Sequence, residues 1–237
     1  MQNSKSEIRS TKQNQNSKIK YQKSKIRNTK QERKSKNQKW ENKGRRAEKM
    51  YGIILAKGEK SSRLGKIKAF IKINGISIIE KIIAEIYNCF EKIVIVTTDV
   101  KKFKKIKNVE VYNDEYKVGP IGGILTGLKI SPYPYNFIFA CDYPFIKKEV
   151  VEYMKKIEPF YDILIPKNKN SIHPLFAIYS KNVLPVIERN LKMGKYRVFD
   201  LVKEGNVKYV KDISDFKKIF FNINTEKELK KIWEKKF

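Results

Sequence analysis

Residues 53–70 read IILAKGEKSSRLGKIKAF, an apolar strand that stops abruptly at a loop rich in glycine and serine. The end of such a strand presents free backbone N–H groups, and glycines such as Gly58 and Gly65 let these groups turn toward phosphate oxygens. Arg63 and Lys68 add positive charge to the loop. The stretch therefore predicts a polyphosphate site. It has neither the three spaced glycines of a dinucleotide-binding loop nor a Gly-Lys-Ser/Thr phosphate loop.

A lone carboxylate follows another apolar run farther along the chain. Residues 137–141 are all apolar, and the run stops at Asp142, which is followed by Tyr143 and Pro144. Ligands of open α/β sheets bind outside the carboxyl ends of the strands, so we expect Asp142 to share a crevice with the first loop. Mg²⁺ takes one or two protein carboxylates together with phosphate oxygens, which makes Asp142 the predicted metal ligand. The alternative is a turn aspartate that caps the next helix.

A third candidate segment, residues 113–129, reads NDEYKVGPIGGILTGLK and contains Asp114 ahead of a glycine-rich helix start. Proline is favoured at the first position of a helix, so Pro120 is expected to open one. Glycines in the first turns of that helix allow a flat ligand or another backbone to approach closely. The sequence leaves open whether these glycines serve a ligand or the packing of the helix on a sheet.

Apolar strands and amphipathic helices alternate from Met50 onward, which predicts an α/β fold with a mostly parallel sheet covered on both faces. Ser77 and Glu80 form a capping box at the start of one helix, and Thr225 and Glu228 form a second. The predicted strands are 51–55, 93–97, 109–112, 137–141, 162–165, 175–179, 208–210 and 219–223. The predicted helices are 77–88, 120–130, 147–157, 182–192, 196–202 and one opened by Thr225.

The net charge of +28 is concentrated at the front of the chain, where residues 1–49 hold 17 Lys+Arg against 4 Asp+Glu. This segment is low in complexity and has few large apolar residues, so we expect a disordered extension. Met50 stands directly before the first strand and is an alternative start, and residues 50–237 are expected to form one domain. Neither a secretory signal nor a membrane-spanning run occurs, which predicts a cytoplasmic protein. Cys89 and Cys141 are expected to be reduced packing residues.

Six motifs in order resemble the molybdenum cofactor guanylyltransferase family over about residues 51–233. They are LAKGEKSSRLG, Lys68, GPIGGILTGL, CDYP, HPLFAIY and FNINTEKEL. The resemblance implies a Rossmann-like, three-layer nucleotidyltransferase fold. It also implies transfer of GMP from GTP to molybdopterin, with Mg²⁺ as cofactor and release of pyrophosphate. Cofactor-insertion proteins or apo-molybdoenzymes are the protein partners that it suggests.

The same resemblance implies a GTP site built from Leu55, Ala56, Lys57, Gly58, Lys68, Asp114 and Asp142. The reaction requires charge stabilisation around the phosphates, so Arg63, Lys68 and Asp142 are the candidate catalytic residues. Arg63 is expected to hold the β and γ phosphates, Lys68 the α phosphate, and Asp142 the metal. The family usually has two glycines after Leu-Ala, whereas this chain has Lys57 and Gly58.

Two further residues match family motifs with weaker implications. Asn224 is a candidate contact to the molybdopterin substrate, and the alternative is that it orders the turn before Thr225. His173, which precedes Pro174, is more simply structural, and we assign it no role.

Three other functions compete with this hypothesis. A cytidylyltransferase acting on the same cofactor, or another small-molecule NTP transferase, would use the same loop, lysine and metal aspartate. A nucleic-acid-binding protein is suggested by the pI of about 9.9, although the basic segment lacks interleaved aromatic residues and would add only nonspecific affinity. A nicotinamide dehydrogenase is disfavoured because no strand is followed by the glycine fingerprint.

Overall fold

The structure is a computed structural model that describes residues 49–168, 171–211, 213 and 216–234. Its strands are β1 (Tyr51–Leu55), β2 (Lys72–Ile73), β3 (Ile76–Ser77), β4 (Lys92–Thr97), β5 (Glu110–Asn113), β6 (Tyr135–Ala140), β7 (Ile163–Pro166), β8 (Phe176–Ser180) and β9 (Val207–Val210). The basic segment predicted to be disordered lies outside the described residues, apart from Lys49.

In the described part of the chain, seven strands form one sheet in the order β5-β4-β1-β6-β8-β7-β9. Parallel pairing joins β5 to β4, β4 to β1, β1 to β6, and β7 to β9, whereas β8 runs antiparallel between β6 and β7. The expected mostly parallel α/β sheet is confirmed. The remaining two strands, β2 and β3, form a separate antiparallel hairpin.

The helices are α1 (Ile78–Ile86), α2 (Val100–Phe103), α3 (Pro120–Ile130), α4 (Lys148–Lys155), α5 (Leu184–Lys192), α6 (Val198–Glu204), α7 (Phe216–Ile219) and α8 (Glu226–Trp233). The predicted capping box opens α1, because the N–H of Glu80 donates to Ser77 Oγ and the N–H of Ser77 donates to Glu80 Oε2. The second predicted box, between Thr225 and Glu228, opens α8 in the same way. Both helix starts are therefore fixed by local sequence.

Helices cover both faces of the sheet. Successive side chains of a strand point to opposite faces, so Ile53 and Ile54 of β1 enter different hydrophobic clusters. The cluster around Ile53 includes residues of α3, α5 and α6, and the cluster around Ile54 includes residues of α1, α4 and α8. This is the expected three-layer arrangement. Within the described residues, no helix has the length and apolar character needed to cross a bilayer.

One predicted strand is wrong. Residues 219–223 do not pair with the sheet, since α7 ends at Ile219 and residues 221–224 have no regular secondary structure. The segment is apolar because its side chains pack against one face of the sheet. Ile219, Phe220 and Ile223 all belong to the cluster around Ile54. A buried apolar run between turns does not by itself distinguish a strand from a packed loop.

The β2–β3 hairpin and the short helices α2 and α7 were not predicted from the sequence. The hairpin turns at Asn74 and Gly75, which both have positive φ, 54° and 84°. Asn-Gly between two strands is the standard signal for a tight hairpin, so this element was predictable. The helix expected at 182–192 begins instead with a 3-10 turn, Lys181–Val183, ahead of α5.

The glycines of α3 allow the helix to lie directly on β1. A Cβ added to Gly127 would come within 2.6 Å of Ile53 Cγ2, and one added to Gly123 within 2.9 Å of Leu55 Cδ2. Both distances are too short for real carbon atoms. Packing of helix on sheet, one of the two roles left open by the sequence, is thus what these two glycines provide.

We expect Gly127→Ala to destabilise the protein by about 1–3 kcal/mol, because the new methyl group overpacks against Ile53. Ile53→Ala alone should lower stability by about 2–5 kcal/mol through the cavity that it leaves. The loss of unfolding free energy in the double variant should be smaller than the sum of the two single losses by at least about 1 kcal/mol. The reason is that the space left by the Ile53 side chain accommodates the new methyl group. Urea denaturation of the four proteins measures this coupling, and strictly additive losses would contradict the proposed contact.

Candidate active site

The carboxyl ends of β1, β4 and β6 meet at one edge of the sheet. The pairing continues one residue beyond β1, because the N–H of Ala56 donates to Val96 O at 3.0 Å and the N–H of Cys141 donates to Leu55 O at 3.2 Å. These bonds fix the start of the first loop beside Asp142. Since the N–H of Ala56 is used by the sheet, backbone donors for a ligand must come from farther along the loop.

The first loop closes on itself through the backbone of Ser61. The carbonyl of Ser61 accepts the N–H groups of Leu64 at 3.2 Å and Gly65 at 2.8 Å, and its own N–H donates to Lys66 O at 2.9 Å. Gly65 has φ of +59°, a conformation that favours glycine. Leu64 is buried beneath the loop, whereas Arg63 is exposed. The loop therefore carries the Arg63 guanidinium on its solvent side.

Gly58 is buried against the loop that follows β4. A Cβ at this position would collide with the Cβ of Asp99, so glycine is required for this packing. The carbonyl of Gly58 also accepts a hydrogen bond of 2.8 Å from Lys102 Nζ, which forms an ion pair of 2.8 Å with Asp99. By contrast, Lys57 is exposed and has no positive φ, so its position accepts a side chain.

The centre of the site is a contact among three predicted residues. Lys68 Nζ lies 3.4 Å from Asp142 Oδ2 and donates a hydrogen bond of 2.5 Å to Asn224 Oδ1. The side chains of Lys68 and Asp142 are each about one-fifth exposed, 21% and 20%. The structure thus brings together residues that are 74 and 156 positions apart from Lys68.

Two oxygens beside this contact are buried and have no hydrogen-bond partner in the described part of the chain, Asp142 Oδ1 and Asn222 Oδ1. Burial raises the pKa of Asp142, and the Lys68 ammonium and the Asn222 side chain oppose this shift. Leaving a buried oxygen without a hydrogen bond costs folding free energy, and a bound cation would remove that cost. Mg²⁺ prefers oxygen ligands of this kind. The residues present therefore fit a divalent cation at Asp142.

No group of three or more His, Cys, Asp or Glu side chains that could hold a metal ion occurs among the described residues. A cation at Asp142 would therefore take most of its remaining ligands from amide oxygens, waters and a substrate. Such dependence on phosphate oxygens is typical of Mg²⁺ sites that bind nucleotides.

Asp114 lies at the end of β5, and its carboxylate is used locally. Its N–H donates to Thr97 O at 2.7 Å, and its Oδ1 accepts the N–H groups of Tyr116 at 3.2 Å and Lys117 at 3.4 Å. The Thr126 hydroxyl of α3 also reaches Oδ1, at 3.5 Å. Asp114 thus shapes the turn that leads into α3. In the described part of the chain, no hydrogen bond or ion pair joins Asp114 to Lys68, Asp142 or Asn224, and its predicted contact with a nucleotide stays a prediction.

His173 packs in an aromatic cluster next to the site. Its ring stacks on Phe220 with centroids 4.0 Å apart, and Ser171 Oγ lies 3.2 Å from Nε2. Tyr143, which follows Asp142, meets both rings edge-on. Burial lowers the pKa of His173 to about 4, so the ring is neutral near pH 7. This packing gives His173 the structural role that its sequence context suggested.

The thiols of Cys89 and Cys141 are buried and unreactive. Burial raises the pKa of Cys89 to about 11 and that of Cys141 to about 12. Both cysteines are therefore protonated at neutral pH, which agrees with the expected packing role.

Three residues of the site were not among the predicted site residues. Asn222 lies in the FNIN motif two positions before Asn224, so the motif contained the signal. Thr98 Oγ1 is buried without a hydrogen-bond partner in the described residues, just after β4, and no motif indicated it. Lys102 reaches Gly58 from α2, and no motif indicated this.

The chain is similar to a known protein family and to several of its members. The family described as MobA-like NTP transferase domain matches residues 52–207. A probable molybdenum cofactor guanylyltransferase of Thermococcus sibiricus is 36% identical over 195 residues, 77% of this chain and 97% of that protein. A protein of the same name from Clostridium perfringens strain SM101 is 35% identical over 192 residues, 77% of this chain and 96% of that protein.

A similar solved structure is molybdopterin-guanine dinucleotide biosynthesis protein A from Archaeoglobus fulgidus. It superposes with a TM-score of 0.68 at 29% identity and covers 78% of this chain and 97% of its own. The relatives are thus matched over nearly their whole length, and the family match includes Lys68 and Asp142 but ends before Asn224.

His173→Gln should change how stability depends on pH. In the wild type, the neutral folded ring stabilises the protein above pH 6.5, and this contribution is lost as the pH falls toward about 4, because the unfolded chain takes up the proton first. Because the ring is partly exposed, solvent screening reduces the effect. Between pH 6.5 and about 4, the free energy of unfolding should fall by about 1 kcal/mol more in the wild type than in the variant. Urea denaturation at several pH values measures the difference. Parallel pH curves for the two proteins would contradict the burial of a neutral ring.

Proposed function

Since this chain belongs to the MobA-like NTP transferase family, we propose that it transfers GMP from GTP to molybdopterin, releasing pyrophosphate and forming the guanine dinucleotide of the cofactor. It is a nucleotidyltransferase. The names of the relatives from Thermococcus sibiricus and Clostridium perfringens support guanylyl transfer, and the name of the Archaeoglobus fulgidus structure supports molybdopterin as the acceptor.

The observation that carries the proposal is the contact of Lys68 with Asp142 and Asn224 at the sheet edge beside the first loop. A cation-binding carboxylate, a lysine and loop amides are the groups that phosphoryl transfer needs around a nucleotide. The unpartnered Asp142 Oδ1 gives a metal ion a reason to bind at this point. We assign Mg²⁺ to Asp142, where it would neutralise charge on the phosphates when bound.

In the proposed reaction, a phosphate oxygen of molybdopterin attacks the α-phosphorus of GTP. A new P–O bond forms as the bond to the pyrophosphate oxygen breaks, and the electron pair leaves with pyrophosphate. No covalent bond to the protein is required. The protein orients the two substrates and stabilises the charge that develops on the phosphate oxygens.

Each predicted site residue receives a proposed task. Lys68 contacts the α phosphate, and exposed Arg63 binds the β and γ phosphates with its planar guanidinium. The residues Leu55, Ala56, Lys57 and Gly58 line the nucleotide beside Asp142. Asp114 contacts the nucleotide or holds the turn into α3, and Asn224 contacts the acceptor or holds Lys68.

A thermal shift assay on the full chain tests nucleotide choice. GTP with Mg²⁺, at about a hundred times its dissociation constant, should stabilise the native state by about 2.7 kcal/mol and raise the Tm by roughly 5–10 °C. CTP and ATP at the same concentration should shift the Tm much less. A larger shift with CTP would transfer the proposal to cytidylyl transfer, and equal shifts by all three would contradict selective guanine binding.

Asp142→Asn should lower the rate of GMP transfer by at least about 100-fold, because an amide has no negative charge to hold the metal ion. The assay follows guanine dinucleotide and pyrophosphate formed from GTP, Mg²⁺ and molybdopterin. Glu158→Gln is the matched control, since Glu158 is exposed and precedes Pro159, whose carbonyl contacts Tyr135 at the start of β6, the end opposite to Asp142; this variant should keep full activity. Full activity of Asp142→Asn at limiting Mg²⁺ would overturn the metal assignment.

A further inference from the structure

Lys68 is held by two oxygen atoms on two different segments. Asp142 follows β6 and Asn224 precedes α8, and both oxygens lie within reach of Lys68 Nζ, at 3.4 Å and 2.5 Å. The backbone of Lys68 is fixed as well. It opens the 3-10 helix Lys68–Phe70, whose next residue, Ala69, is fully buried. Any change in what Lys68 contacts must therefore come from the movement of its side chain.

Asn224 is itself held in place. Its N–H donates to Glu228 Oε2 at 2.8 Å, and the same carboxylate oxygen accepts the N–H of Thr225 at 2.7 Å. The capping box of α8 thus fixes the loop that presents the Asn224 carbonyl group. Lys68 rests between a fixed carboxylate and a fixed amide oxygen.

The Lys68 ammonium and a divalent cation would compete for the same carboxylate. Two positive charges a few ångströms apart repel each other strongly in a partly buried site. A polyphosphate relieves this repulsion, because its oxygens offer negative charge to the metal ion and to the lysine together. Metal ion and lysine can then occupy the site at the same time.

We propose that Lys68 is a gate on the metal site: it neutralises Asp142 until a nucleoside triphosphate binds, and its ammonium then moves to the phosphates as the cation takes the carboxylate. This inference rests on the proposed function for the roles of Asp142 and the nucleotide. It adds a rule of binding order, in which the cation binds tightly only together with the triphosphate. Asn224 sets the resting position that Lys68 leaves.

Lys68→Met should change two affinities in opposite directions. Without nucleotide, Mn²⁺ should bind the variant about tenfold more tightly than the wild type, because the competing ammonium is gone. With saturating Mn²⁺, a non-hydrolysable GTP analogue should bind about tenfold more weakly, because a phosphate contact is lost. If Lys68 only stabilised the fold, its replacement would not strengthen Mn²⁺ binding while weakening binding of the GTP analogue. Isothermal titration calorimetry on the full chain measures both affinities, with Mn²⁺ alone as the first probe.

Lys105→Met is the matched control, because it removes the same charge from an exposed lysine outside the site and should leave both affinities unchanged. Asp142→Asn added to Lys68→Met should abolish the gain in Mn²⁺ affinity, which assigns the gain to this carboxylate. Lys68→Gln is a second variant in case Lys68→Met folds poorly, as judged by its Tm without ligands.

Mn²⁺ affinity that stays the same or falls in both Lys68 variants would overturn the gate. This result is distinguishable from failure of the proposed function. If the wild type does not bind the GTP analogue even with Mn²⁺, guanylyl transfer fails, whereas the comparison of Mn²⁺ affinities still decides whether Lys68 competes for Asp142.

Discussion

The parallel pairing of β1 with both β4 and β6 is the constraint on which the site depends. Parallel neighbours bring their carboxyl ends to the same edge, so the loops after all three strands must meet there. The bonds from Ala56 to β4 and from Cys141 to β1 extend this pairing beyond the strands themselves. A change that moved β1 along its neighbours by one residue would reverse its faces and displace the first loop from Asp142.

The close approach of α3 to β1 supports this register. Gly123 and Gly127 leave room for Leu55 and Ile53, so side chains of β1 interlock with the surface of the helix. Asp114 then ties the turn before α3 to the end of β4 through Thr97. Packing and hydrogen bonding at these points hold α3 and the turn before it against the ends of β1 and β4, beside the loop that carries Arg63 and leads to Lys68.

Much of this architecture could be predicted because its causes are local. Uninterrupted apolar runs indicated the central strands, and capping boxes at Ser77 and Thr225 indicated two helix starts. The meeting of Lys68 with Asp142 followed from the expected sheet edge. Residues 219–223 were misassigned because burial there comes from tertiary packing, which leaves no periodic signal. The contact of Lys102 with Gly58 was unpredictable for the same reason, since it joins two loops whose positions only the whole sheet decides.

The lysine in place of the family's first glycine becomes understandable once the two loop positions are compared. Gly58 cannot carry a side chain, because Asp99 occupies the space where its Cβ would lie. Lys57 faces solvent and has no positive φ, so neither space nor backbone conformation requires glycine there. The substitution therefore leaves the loop amides in place and adds a cation at the rim of the crevice. A positive side chain at that rim is compatible with an anionic ligand, so the departure from the family pattern does not argue against a nucleotide site.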